Sequence, residues 1–223
     1  MAGDTGRHLR SVKIYPRFER FWHWSQVILI GVLLFTGLAV SGVHSWLDFS
    51  LAARLHVIAA LLLVVLWIFA IFWHFTTGTW VHYVPRAQGL GRVIRFYSWG
   101  IFKGEPHPYR KAFWRKHNPL QALTYLALKL VLFPAVWITG FLYLGYTLWD
   151  DAANAPVWLS LVANIHVLAA LAIAAFVIVH IYLLTVGESF LAHLRPMLSG
   201  YDNVELTPQE EAYLETDEPA RIR

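Results

Sequence analysis

Cysteine is absent from this 223-residue chain. Its absence excludes disulfides, thiolate metal sites, cysteine-held iron–sulfur clusters and covalent haem attachment through Cys-x-x-Cys-His, so any redox centre must be held by histidine. Charge is scarce as well, at 14% of residues, against about a quarter in ordinary soluble domains. No acidic pair lies within an apolar segment, and this excludes carboxylate-based hydrolysis there. The first twenty residues carry Arg7, Arg10, Lys13, Arg17 and Arg20 but neither an apolar core nor a small-residue cleavage site, so no cleaved signal peptide is expected. There is no internal repeat, no low-complexity tract, and no nucleic-acid partner is expected.

Apolar residues dominate instead: 57% of the chain is hydrophobic and the mean hydropathy is +0.49. Eleven Trp and ten Tyr suit the two headgroup levels of a bilayer, where amphipathic rings collect. Crossing the hydrocarbon takes about 20 apolar residues, and four stretches qualify, at about 21–42, 52–75, 119–146 and 157–186. The expected fold is all-α, an integral membrane four-helix bundle. Pro134 and Gly140 can kink the third helix without ending it. Three regions result: an N-terminal arm over 1–20, a membrane domain over 21–200 and an acidic tail over 201–223.

Basic residues set the orientation. Five lie in the arm, and Arg86, Arg92, Arg95, Lys103, Arg110, Lys111, Arg115 and Lys116 lie in the link between helices two and three. Both regions, and with them both termini, are expected on the cytoplasmic side. The link includes a candidate interfacial helix over 88–102. In the tail, Thr207-Pro208-Gln209-Glu210 has the pattern of a capped helix start; that helix is expected to be solvated and the last residues frayed.

Four histidines stand in or beside the apolar stretches: His23, His56, His166 and His180. By depth, His23 and His180 share the cytoplasmic level, while His56 and His166 share the outer one. The two on helix four are 14 residues apart, about 21 Å along an ideal helix and within ~40° of the same face. Two b-type haems, each held by one pair, would fill such a bundle and carry electrons across it. Bis-histidine ligation leaves iron no open position, which favours electron transfer over oxygen chemistry. A single membrane histidine often serves only as an interhelical hydrogen-bonding group, but four at matched levels favour the ligand reading. His74, at the inner end of helix two, is either a third inner-level ligand or a surface group. His117 either approaches a quinone headgroup or is solvated.

Arg20-Phe21-Trp22-His23-Trp24, Arg54-Leu55-His56, and His166 followed by His180-Ile181-Tyr182 resemble the di-haem cytochrome b subunits of periplasm-facing respiratory enzymes, the nickel-iron hydrogenase, formate dehydrogenase and thiosulfate reductase types. The resemblance covers about residues 15–200. It implies a bacterial inner-membrane subunit that exchanges electrons between a quinone (menaquinone or ubiquinone) and a periplasmic iron–sulfur or multihaem c-type partner. It also implies a quinone site at the start of helix three, where Asn118-Pro119-Leu120-Gln121 matches the Asn-x-x-Gln of the formate dehydrogenase type. Asn followed by Pro is equally a helix cap. Arg20 and Arg54 are candidate partners for haem propionates, or snorkelling residues. Thr185-Val186-Gly187-Glu188-Ser189 departs from the Arg-Glu-Asp run of the hydrogenase type, and His193-Leu194-Arg195-Pro196-Met197 is closer to thiosulfate reductase. Two other functions use the same histidines: a free-standing cytochrome b that reacts with a small oxidant such as superoxide, and a histidine-based metal or proton transporter.

Overall fold

A computed structural model describes residues 7–109, 112–185 and 189–223. Arg110, Lys111 and the Val186-Gly187-Glu188 stretch lie outside the described residues. Among the described residues, four helices are long and apolar enough to cross a membrane: Arg17–Val40, Phe49–Thr76, Pro119–Leu144 and Ala155–Leu184, here the first to fourth spans. The first begins directly after Pro16, so the polar turn Arg17–Arg20 is already helical and His23 lies in its second turn. Asp48 caps the second span, its carboxylate accepting the Leu51 N–H at 3.0 Å. In the third span Pro134 cannot donate to the carbonyl one turn back. Just ahead of it the ladder loosens into a π turn over Leu128–Leu132, where the Phe133 N–H reaches the Leu128 carbonyl.

The chain divides into two compact units. The membrane unit comprises Ser25–Gly78 and Thr124–Tyr182, the greater part of all four spans. Its surface is apolar, with Ile68, Phe72, Leu130, Leu168 and Ile178 exposed. Its interior is a packed layer: Leu63 and Trp67 of the second span meet Leu128 and Phe133 of the third and Ile173 of the fourth, with Leu29 and Leu33 of the first against them. Trp67 packs with its ring tilted at 4.7 Å from Phe133 and edge-on at 5.1 Å from Trp137. Its indole N–H donates to Gln26 Oε1 at 3.0 Å, which satisfies the polar handle in an apolar setting. Buried Ala52, Ala59 and Ala70 on the second span and Ala169 on the fourth let the neighbouring helices approach.

The second unit comprises Met1–Trp24, Thr79–Leu123 and Leu183–Arg223, within the described residues. Beside its helices it contains one two-stranded ribbon. Strand β1 (His8–Lys13) pairs antiparallel with β2 (Tyr201–Leu206), from His8 opposite Leu206 to Lys13 opposite Tyr201. One face of this ribbon buries Val12, Val204 and Leu206 against Ile14, Phe113 and Leu214. Leu214 belongs to the helix Pro208–Asp217, which starts at a full capping box: the Thr207 N–H donates to Glu210 Oε2 at 2.8 Å and the Glu210 N–H to Thr207 Oγ1 at 3.3 Å. The tail is therefore neither a free solvated helix nor frayed. Its last residues fold back on β1, with Ile222 bridged to Val12 and the Arg223 N–H on the Ser11 carbonyl at 2.9 Å. Arm and tail form one module, joined by Phe113 from the central link. In that link, Leu90–Ser98 is the helix, and it is shorter than the expected 88–102 because a 3₁₀ turn takes over at Gly100–Lys103.

Hydrophobic burial holds the module together. Its ion pairs, Arg10 with Glu211 at 3.2 Å and Glu215 at 3.4 Å, are partly exposed and contribute about 1 kcal/mol or less each. Leu214→Ala should cost the module about 2–5 kcal/mol through the cavity it leaves. Hydrogen exchange of residues 201–223 should then accelerate while that of the spans is unchanged.

Candidate functional site

Two histidines meet inside the membrane unit. His56, near the start of the second span, and His166, in the first half of the fourth, have ring centres 6.2 Å apart with planes at 64°. Each presents Nδ1 to a threonine hydroxyl, His56 to Thr36 and His166 to Thr139, both at 3.0 Å. Each hydroxyl in turn donates one turn back along its own helix, Thr36 to the Val32 carbonyl at 2.7 Å and Thr139 to the Ala135 carbonyl at 2.5 Å. A hydroxyl has one hydrogen, so one already donated leaves only acceptor capacity toward the imidazole. Nδ1 must therefore carry the proton, which leaves the Nε2 lone pair available as a metal ligand.

A glycine follows each threonine. A Cβ at Gly37 would lie 3.3 Å from His56 Cε1, and one at Gly140 would lie 3.5 Å from His166 Cε1. Any larger side chain would fill the space beside the rings. The same Thr-Gly cradle thus occurs twice, on the first span for His56 and on the third for His166.

The pair fits a haem better than an isolated ion. Among the described residues, no group of three or more His, Cys, Asp or Glu is placed to hold a metal, whereas a structural zinc site needs four such ligands. His56 and His166, two neutral imidazoles from different helices, would hold a b-type haem, which would supply one-electron chemistry there.

Seven residues along each helix lie Leu63 and Ile173, both in the packed layer. Seven further along the fourth span is His180, its ring stacked on Phe176 at 5.8 Å. His23 lies in the second unit, edge-on to Trp24 at 5.2 Å, with the Trp24 indole N–H fixed on the Met197 carbonyl at 3.0 Å. In the same unit the Arg20 guanidinium donates to the Leu198 carbonyl. With Arg17, Phe21, Trp24 and Met197 it lines an open cleft of about 330 Å³. Arg54 is exposed, and its Nε donates to the Ser50 carbonyl of its own helix at 3.3 Å.

Asn118 and Gln121 cap the third span reciprocally. Gln121 N–H donates to Asn118 Oδ1 at 2.9 Å and Asn118 N–H to Gln121 Oε1 at 3.0 Å. Asn118 Nδ2 also donates to the Tyr97 hydroxyl at 3.4 Å, and that hydroxyl lies 3.3 Å from His107 Nε2. Burial pushes the Tyr97 phenol above its usual range, so it stays protonated at neutral pH. His117 lies against the His82 carbonyl at 3.3 Å, its ring 5.0 Å from Tyr83.

Sequence reasoning missed both threonine–glycine pairs. A signal existed, since Thr-Gly occurs mid-span at Thr36-Gly37 and Thr139-Gly140 and nowhere else inside an apolar run. It also missed a buried ion pair in the second unit, Glu19 with Lys116 at 2.6 Å, each side chain 8% exposed. Burial lowers the Lys116 amine despite that carboxylate.

The family described as prokaryotic cytochrome b561 matches residues 14–200. The candidate cytochrome YdhU of Escherichia coli (strain K12) is 30% identical over 201 residues, 87% of this chain and 76% of its own. No solved structure matches.

Gly140→Val should fill the space beside the His166 ring. We expect loss of haem by pyridine haemochrome assay with the helical circular dichroism retained. Thr139→Val, which removes only the Nδ1 acceptor, should weaken haem retention about 10- to 100-fold.

Proposed function

Since the chain belongs to the prokaryotic cytochrome b561 family, a family of b-type membrane cytochromes, we propose that it is a di-haem electron conduit between the quinone pool and a periplasmic redox subunit. The observation that carries this reading is the His56–His166 pair in its twin Thr-Gly cradle. A haem held by two imidazoles supplies reversible one-electron transfer without an open iron position. The chain's own part is to fix the imidazole tautomers through Thr36 and Thr139, to leave ring space through Gly37 and Gly140, and to exclude water with an apolar wall.

His23 and His180 are the proposed ligands of a second haem. That assignment rests on the sequence, through the face-preserving 14-residue interval from His166 and the matching depth of His23. The basic residues of the arm and the link support a cytoplasmic location for this pair and for both termini in a bacterial inner membrane. Quinone exchange is proposed beside it, at the Asn118–Tyr97 edge. In the bonds described above Asn118 uses one of its two amide hydrogens and one carbonyl lone pair, so capping does not exhaust its capacity toward a quinone oxygen. The outer pair would then face an iron–sulfur or multihaem c-type partner.

Substitution of single ligands tests the reading. The purified wild-type chain should hold two b-type haems. His166→Ala and His56→Ala should each remove the same one, and His23→Ala or His180→Ala the other. A chain with one haem, or with losses that do not sort into these pairs, would contradict it.

A further inference from the structure

The fourth span ends at Leu184, and a further helix, Phe190–Ser199, begins soon after it. Both ends of this helix are closed. The Ser189 hydroxyl accepts the Ala192 N–H at 3.3 Å, and Gly200, at φ +91°, donates its N–H to the Pro196 carbonyl at 2.8 Å. At ~100° per residue, Phe190, Leu191, Leu194, Met197 and Leu198 fall on one arc of about 120°. Phe190, Leu191 and Leu198 are 44%, 69% and 57% exposed. Exposed Arg195 flanks the arc, and Pro196, on the other side of the helix, is buried. Apolar outward on one face and anchored to protein on the other, the helix has the pattern of one that lies in the membrane interface.

The opening turns of the first span pack beside it, within the second unit. The Trp24 indole N–H donates to the Met197 carbonyl at 3.0 Å, and the Arg20 guanidinium donates to the Leu198 carbonyl. Gly200 leaves room for that guanidinium: a Cβ there would lie 3.3 Å from Arg20 Nε and 2.7 Å from the Tyr15 carbonyl oxygen. Arg20 is therefore held in place before any ligand arrives. The two segments enclose the cleft of about 330 Å³ lined by Arg17, Arg20, Phe21, Trp24, Met197 and Leu198. Its volume falls in the range of small-molecule sites, about 300–1,000 Å³. Two guanidiniums meet an apolar wall there, and Phe21 in that wall is 62% exposed.

This combination selects a ligand class. A guanidinium stays charged and presents a planar fork of N–H donors that matches phosphate oxygens. The aromatic and aliphatic surface beside it matches an acyl chain. A soluble anion would use the first and leave the second wet, and a neutral lipid would do the reverse. An anionic phospholipid uses both, and basic pockets at the ends of membrane spans bind such headgroups. The proposed haem ligand of this segment points elsewhere: at ~100° per residue, positions 17, 20, 21 and 24 centre about 110° away from His23.

We propose that this cleft binds the phosphodiester headgroup of one anionic phospholipid, held by Arg17 and Arg20, with an acyl chain laid along Phe21 and Leu198. The lipid bridges the start of the first span and the helix that follows the fourth.

Native mass spectrometry of the purified full chain in neutral detergent tests it, with phosphatidylglycerol or phosphatidylcholine of identical acyl chains added. The wild type should retain one phosphatidylglycerol about five- to twentyfold more strongly than phosphatidylcholine, since each arginine near the surface contributes about fivefold. Arg17→Gln should lower that preference about fivefold, whereas Arg17→Lys, which keeps the charge, should preserve most of it. Leu198→Glu, which puts a carboxylate on the apolar wall, should abolish retention; should it not fold, Arg17→Glu reads the same loss. Both positions are exposed, so haem content and helical circular dichroism of Arg17→Gln should match the wild type. Equal retention of the two lipids would overturn the proposal, as would a preference that Arg17→Gln and Leu198→Glu leave intact. Displacement of the lipid by inorganic phosphate would overturn it in favour of a free anion. Haem loss in Arg17→Gln with lipid retention unchanged would overturn it in favour of a haem propionate.

Discussion

An imidazole in hydrocarbon has a ring N–H that water cannot satisfy, and the membrane unit is arranged around that requirement. Thr36 and Thr139 meet it in the same way. Each hydroxyl donates its hydrogen to its own helix and can then only accept from the ring. One hydrogen bond thereby fixes a tautomer, a ring orientation and a free ligand nitrogen at once. The adjoining glycines keep the space beside each ring open. For this pair the first and third spans supply the threonine–glycine cradles and the second and fourth supply the histidines.

Heptad spacing extends this arrangement along the bundle. His56 and His166 are followed seven residues later by Leu63 and Ile173 in the packed layer. Seven more bring Ala70 and His180 level. The Trp67–Phe133–Trp137 cluster thus lies between two polar levels, and it keeps water out of the unit's centre. The π turn ahead of Pro134 falls next to this cluster and carries Lys129, so the backbone irregularity and the intramembrane charge coincide.

Much of this was legible in the sequence, for identifiable reasons. Long apolar runs and the 14-residue interval on the fourth span survive any detail of packing, because both follow from helix geometry alone. The capping box at Thr207 was legible because its chemistry is local. The terminal module was not. Arg10, Val12 and Ile14 alternate over too few residues to announce a strand, and their partners Val204 and Leu206 lie nearly two hundred residues away. Nor was the Asn118 cap separable from a quinone contact, since Asn before Pro suits both. The threonine role escaped for a different reason: the meaning of a mid-span Thr-Gly depends on which ring another helix brings to it.

The central claim is that paired, tautomer-fixed imidazoles ligate haem iron. Near-infrared magnetic circular dichroism of the oxidised, purified chain tests it most directly, because the charge-transfer band reports the axial ligand set. The account predicts a low-spin bis-imidazole signature from every haem present. A high-spin signal, or a band typical of histidine with methionine, would contradict it.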